Sequence, residues 1–135
     1  MAIQYSTSVR NAQLDAIETA IGTAAVLKIR TGVAPANVGT ADSGTVLASM
    51  TLPSDWLAAA SGGSKAKSGT WQDASADATG TAAHFRIYAS DGTTAHIQGT
   101  VTATGGGGDL TLDNTSIASG QSVTISSFTL TAANS

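Results

Sequence analysis

The chain has no cysteine. That excludes a disulfide scaffold and thiolate chemistry, and leaves the redox compartment unread. Charge is scarce too: 11% of residues are Asp, Glu, Lys or Arg, against about 25% in ordinary soluble domains. The six basic residues are scattered, and their one close pair, Lys65 and Lys67, falls in a Ser/Gly loop. Phosphate neutralisation needs clustered cations, so no nucleic-acid partner is expected. No apolar run approaches the roughly 20 residues of a membrane helix, so no membrane partner is expected either. The start, "MAIQYSTSVRNAQ", lacks the basic and apolar segments of a signal peptide. The expectation is a chain made in the cytoplasm that leaves it only as part of a particle.

What is present suits one compact unit. A length of 135 residues with 41% hydrophobic content reads as a single domain, 1–135, whose core needs no staple. Few charges imply a surface of Thr, Ser, Ala, Gly and Asn, with weak repulsion between copies. One helix is expected over about 7–21 in "STSVRNAQLDAIETAIG": Ser6 or Thr7 caps it, Leu14, Ile17 and Ile21 share a face, and Gly22 stops it. Asp15 and Glu18 read as its solvated side.

From residue 25 the period becomes two. "AVLKIRT" sets Leu27 and Ile29 against Lys28 and Arg30, and "TVLASMTL" places Val46, Ala48, Met50 and Leu52 in phase. Between them, "GVAPANVGTADSG" reads as a surface loop. A short helical turn is expected after Pro53, and a strand at Trp71. Ala83, Phe85, Ile87 and Ala89 form one apolar phase, and Ala95, Ile97, Gly99 and Val101 the next. Keeping both on one face calls for a three-residue turn, Ser90-Asp91-Gly92, with Ala89 opposite Thr93, Arg86 opposite His96, and Gly92 left-handed. In "SVTISSFTLTA", Phe128 and Leu130 fall one step out of phase with Val123 and Ile125, which a β-bulge at Ser126-Ser127 would repair. The expected fold is mainly β: an antiparallel β-sandwich or jelly roll over about 25–132, with one N-terminal α-helix.

Candidate chemistry is thin. The glycine run in "TATGGGGDLTLDN" leads into Asp109 and a strand, whereas a phosphate loop ends in Gly-Lys-Ser/Thr and opens a helix. It reads as a mobile strand connection. His84 and His96 share a polar row with Arg86, Tyr88 and Gln98, and a guanidinium between two imidazoles is hostile to a metal, so the row reads as solvated or partner-facing. No Gly-x-Ser-x-Gly elbow exposes a nucleophile. Asp73 with Asp77, and Asp109 with Asp113, lack the apolar setting that would raise one carboxyl for acid catalysis. No catalytic residue, cofactor or metal is assigned, and the chain is not expected to be an enzyme.

The segments "YSTSVRNAQLDAIETAIG", "ADSGTVLASMTLPSDW", "AAHFRIYASDGTTAHIQGTV" and "GGGGDLTLDNTSIASGQSVTISSFTLT" together resemble a family of small structural proteins encoded in tailed-bacteriophage gene clusters. The resemblance spans nearly the whole chain. It implies a virion protein, best fitted to the head as a decoration or cement protein, with a tail or neck component or a host-adhesion module as the alternative. The expected partners are the major capsid protein and copies of the chain itself, as a dimer or trimer. The candidate contact residues are Leu14, Ile17, Trp56, Arg86, Tyr88 and His96.

Overall fold

The structure, a computed structural model, describes residues 3–132. It opens with α1, Thr7–Ile21. The Ser6 hydroxyl accepts from the Val9 N–H at 3.3 Å and the Gly22 N–H donates to the Glu18 carbonyl at 2.8 Å, so both ends are capped. Leu14 and Ile21 are buried, and Ile17 packs against the core from a half-buried position.

Among the described residues eleven strands follow: β1 Val26–Arg30, β2 Val46–Thr51, β3 Ser64–Ala66, β4 Trp71–Asp73, β5 Gly80–Thr81, β6 His84–Tyr88, β7 Ala95–Ala103, β8 Leu110–Leu112, β9 Ser116–Ile117, β10 Val123–Ile125 and β11 Thr129–Thr131. Five form one sheet in the order β2-β1-β6-β7-β8, and β10-β4, β11-β3 and β5-β9 are two-stranded. Register explains the core. Met50, Leu27, Ile87 and Ile97 align across four strands, and Ala48, Ile29, Phe85 and Gly99 form the next row. Trp56, Trp71, Phe128 and Phe85 make a chain of ring contacts at 6.0, 5.4 and 5.6 Å that carries the core from the small pairs to the main sheet.

Four details differ from expectation. The main sheet is mixed, because β7 and β8 run parallel with Val101 opposite Leu110. Parallel neighbours ordinarily need a crossover of a dozen or more residues, yet only residues 104–109 join these two. The glycines permit it: Gly105 and Gly107 have φ of +88° and +80°, while a Cβ on Gly106 or Gly108 would lie 2.8 Å from Thr102. The run is therefore packed against β7 rather than a loose tether.

The hairpin loop is one residue longer than expected. The Ala89 N–H donates to the Thr94 carbonyl at 2.9 Å, and a register shift between Ile87 and Tyr88 then sets Ile87 opposite Ile97 and Arg86 opposite Gln98. The apolar faces still coincide, because the longer loop and the shift add two residues together. Gly92 is left-handed at φ +70°, and the Asp91 carboxylate closes the loop by accepting from Thr93 and Thr94. After Pro53 the chain makes a turn rather than a helix. At Ser126-Ser127 there is a complete break, after which β11 leaves the partner of β10 and pairs with β3.

Two substitutions separate the roles of the glycines. Gly108→Ala, which meets the Thr102 side chain and backbone, should lower the unfolding free energy by about 1–3 kcal/mol. Gly92→Val, strained by its positive φ, should cost about 1–2 kcal/mol. Urea unfolding of each against wild type measures both.

Candidate functional site

The second face of the main sheet carries the polar rows. Ser49, Lys28, Arg86 and Gln98 align in one, and Arg30, His84 and Thr100 in the next. Arg30, His84, Arg86 and Tyr88 are nonetheless buried, because residues 31–45 fold back over them. The expected solvated row is therefore an interior one, and the expected surface loop is its lid.

Asp42, the one charged residue in that loop, holds it down. Its Oδ2 lies 2.9 Å from Arg30 Nη2, and its Oδ1 accepts from Arg86 Nη1 at 2.9 Å and the Tyr88 hydroxyl at 2.8 Å. Arg86 Nη2 also donates to the Asn37 carbonyl, Gln98 Nε2 to that of Pro35, and Arg30 Nη1 to that of Gly44. Gln98 Oε1 accepts from Arg86 Nε and Nη2. His84 Nδ1 lies 2.7 Å from the Gly32 carbonyl. A carbonyl can only accept, so this nitrogen carries the proton. Two buried atoms, Arg30 Nε and His84 Nε2, have no partner among the described residues.

Electrostatics follow from this enclosure. Burial alone would raise the Asp42 carboxyl, but the Tyr88 hydroxyl and the Arg30 and Arg86 guanidiniums outweigh it and hold it below its ordinary 3.8. Burial, reinforced by the bond to Asp42, pushes the Tyr88 hydroxyl up, which keeps it a donor.

A second ion cluster fastens the helix. Lys65, 2% exposed, lies 2.7 Å from Asp15 and 3.1 Å from Glu18. Neither the "solvated" helix carboxylates nor the "loop" lysine is free of the other. Lys65 also lines, with Asp15, Glu18 and Asp55, a cleft of about 530 Å³ beside the helix.

Of the six expected contact residues, Leu14, Trp56, Arg86 and Tyr88 are buried within the folded chain. Ile17 is half-buried and His96 is exposed. His96 sits in the register shift, away from His84, so the two imidazoles are not brought together. Sequence reading missed Asp42 and the inward turn of Arg30. A signal existed: the side of β1 and β6 that turns away from the core carries cations on both strands, and the loop between β1 and β2 holds one carboxylate.

The arrangement holds a loop in place. Its cations and its carboxylate are spent on one another and on loop carbonyls. Among the described residues no three His, Cys, Asp or Glu side chains group as a metal set. No family model, curated protein or solved structure matches the chain.

Arg86→Ala should lower the unfolding free energy by about 3 kcal/mol, the low end for breaking a buried pair, because Asp42 keeps Arg30 and some solvent. Proteolysis within residues 31–45 should accelerate with it. The pH dependence has a definite sign. A depressed carboxyl contributes stability above its unfolded pKa and loses it as pH falls through the lower folded value. Asp42→Asn should therefore lose less stability than wild type between neutral pH and about pH 3, measured by denaturant unfolding at the two pH values.

Proposed function

We propose that this chain is a structural protein of a tailed-phage virion, a head decoration or cement protein that bridges capsid subunits. The sequence resemblance supplies the class. The observation that carries the reading is the fate of the cations. All six Lys and Arg side chains are engaged within the chain: Arg30 and Arg86 on Asp42, Lys65 on the helix, and Arg10, Lys28 and Lys67 on the carbonyls of Ala132, Gly92 and Gly69. What faces outward is mostly small and uncharged, with scattered carboxylates such as Asp55, Asp77 and Asp113 among it. Such a surface loses little on desolvation when it meets another protein, and offers little to a phosphate backbone.

The finer architecture belongs to the same proposal. The pairs β10-β4 and β11-β3, which reach the main sheet through Trp71 and Phe128, serve as the second layer of a sandwich of jelly-roll kind. The mechanism is binding, with the major capsid protein and further copies as partners and no catalytic residue or cofactor. A symmetric shell repeats each modest contact many times, and the sum strengthens the shell.

Heads assembled without the protein should disrupt at lower temperature, or under milder osmotic shock, than complete heads, and adding it back should restore them. Unchanged head stability combined with lost adsorption to cells would replace this reading with the host-adhesion one.

A further inference from the structure

Residues 32–44 have the build of a hinged lid. Their neck is closed by the Thr31 N–H, which donates to the Thr45 carbonyl at 3.1 Å, and by the Thr45 N–H, which donates to the Thr31 hydroxyl oxygen at 2.9 Å. Gly32 and Gly44 stand just inside that neck with φ of +78° and +74°, a backbone region glycine enters without strain. No residue from 32 to 44 is fully buried, and Val33 is 91% exposed. The lid therefore has no apolar anchor in the core, and its hold is polar, through Asp42 and four carbonyls. A loop with a closed neck and few buried apolar contacts opens at low cost to the rest of the fold.

Beneath it lies a carboxylate seat that Asp42 fills only in part. A guanidinium presents Nε–H and Nη2–H along one edge, and the two oxygens of a carboxylate match that edge. Arg30 gives Asp42 only its Nη2, at 2.9 Å, while its Nε is buried without a partner among the described residues. The other Asp42 oxygen is drawn away to Arg86 Nη1 and the Tyr88 hydroxyl. Arg86 uses its own edge in full, with Nε and Nη2 both on Gln98 Oε1 at 3.1 and 2.8 Å. Among the described residues Asp42 is the only carboxylate paired with either guanidinium, so two buried cations share one anion. A cleft of about 320 Å³ between the lid and the β6–β7 hairpin, lined by Val38, Thr40, Asp42, Arg86 and Thr94, reaches this seat from outside. Its size suits a small molecule.

We propose that the lid opens and that the Arg30–Arg86–Tyr88 seat then binds the carboxylate of a small organic acid, which takes both Nε and Nη2 of Arg30. In the closed chain Asp42 is the stand-in ligand. Such a seat works in the purified chain, whatever assembly the chain belongs to.

Acetate is the probe, compared with chloride at equal ionic strength. Asp42→Ala removes the stand-in, so acetate should raise the thermal unfolding midpoint of this variant by several degrees over chloride. Wild type, whose seat is filled, should gain far less. Adding Arg30→Lys keeps the positive charge but removes the two-donor edge, and should abolish most of the gain. Equal midpoints in the two salts overturn the proposal, as does a gain that wild type or the Arg30→Lys variant shares in full. If Asp42→Ala stays unfolded in both salts, wild type decides. Acetate then competes with Asp42 for the seat, and proteolysis within residues 33–43 should run several-fold faster than in chloride, with cleavage of an unfolded substrate as the reference. Unchanged cleavage there overturns the proposal as well.

Discussion

Two guanidiniums on neighbouring strands, turned to the side of the sheet opposite the core, need a counter-charge. Arg30 and Arg86 find it in Asp42, and much of the structure depends on that choice. Without the carboxylate, two buried cations would face each other with only neutral acceptors to share. With it, residues 31–45 are drawn across the polar rows, Tyr88 and Gln98 gain partners, and the second face of the sheet becomes an interior. Desolvating such a cluster offsets much of its attraction. Its main effect is to specify one position for the loop.

The opposite face depends on packing instead of charge. Phe85 receives Phe128 edge-on, at an interplanar angle of 86°, and Trp71 and Trp56 extend the contact toward the helix side. The break at residues 126–128 makes this possible. It lets β10 stay with β4 while β11 moves to β3, so one segment of chain stitches two small pairs against the same core. That transfer also sets β11 beside the cleft that runs to Gly108 and Asp109.

The two ion clusters and the carbonyl-bound lysines tie the cations to the chain's own acceptors. Arg30, Arg86 and Lys65 are buried in the process, whereas Lys28 and Lys67 reach loop carbonyls from half-buried positions. The first three therefore fix tertiary contacts between distant segments, and the last two fasten single turns.

The sequence by itself determined the local periods. The helix with its caps, the alternating strands, the left-handed Gly92 and the shared apolar face of the hairpin all follow from residue type and spacing. Even the phase error at Ser126-Ser127 was legible as an interruption. Only the tertiary structure decided what those elements meet. Whether Arg86 and His84 face water depends on where a loop more than forty residues away comes to rest, and the partner that exposed Asp15 gains in Lys65 lies fifty residues away. The same holds for the parallel β7–β8 pair, because four glycines permit a reversal that the alternation of the flanking strands does not encode. Periodicity reports which side of an element is apolar. It is silent on whether the polar side is left to solvent or covered by another part of the chain, since that depends on long-range charge pairing and chain reversal.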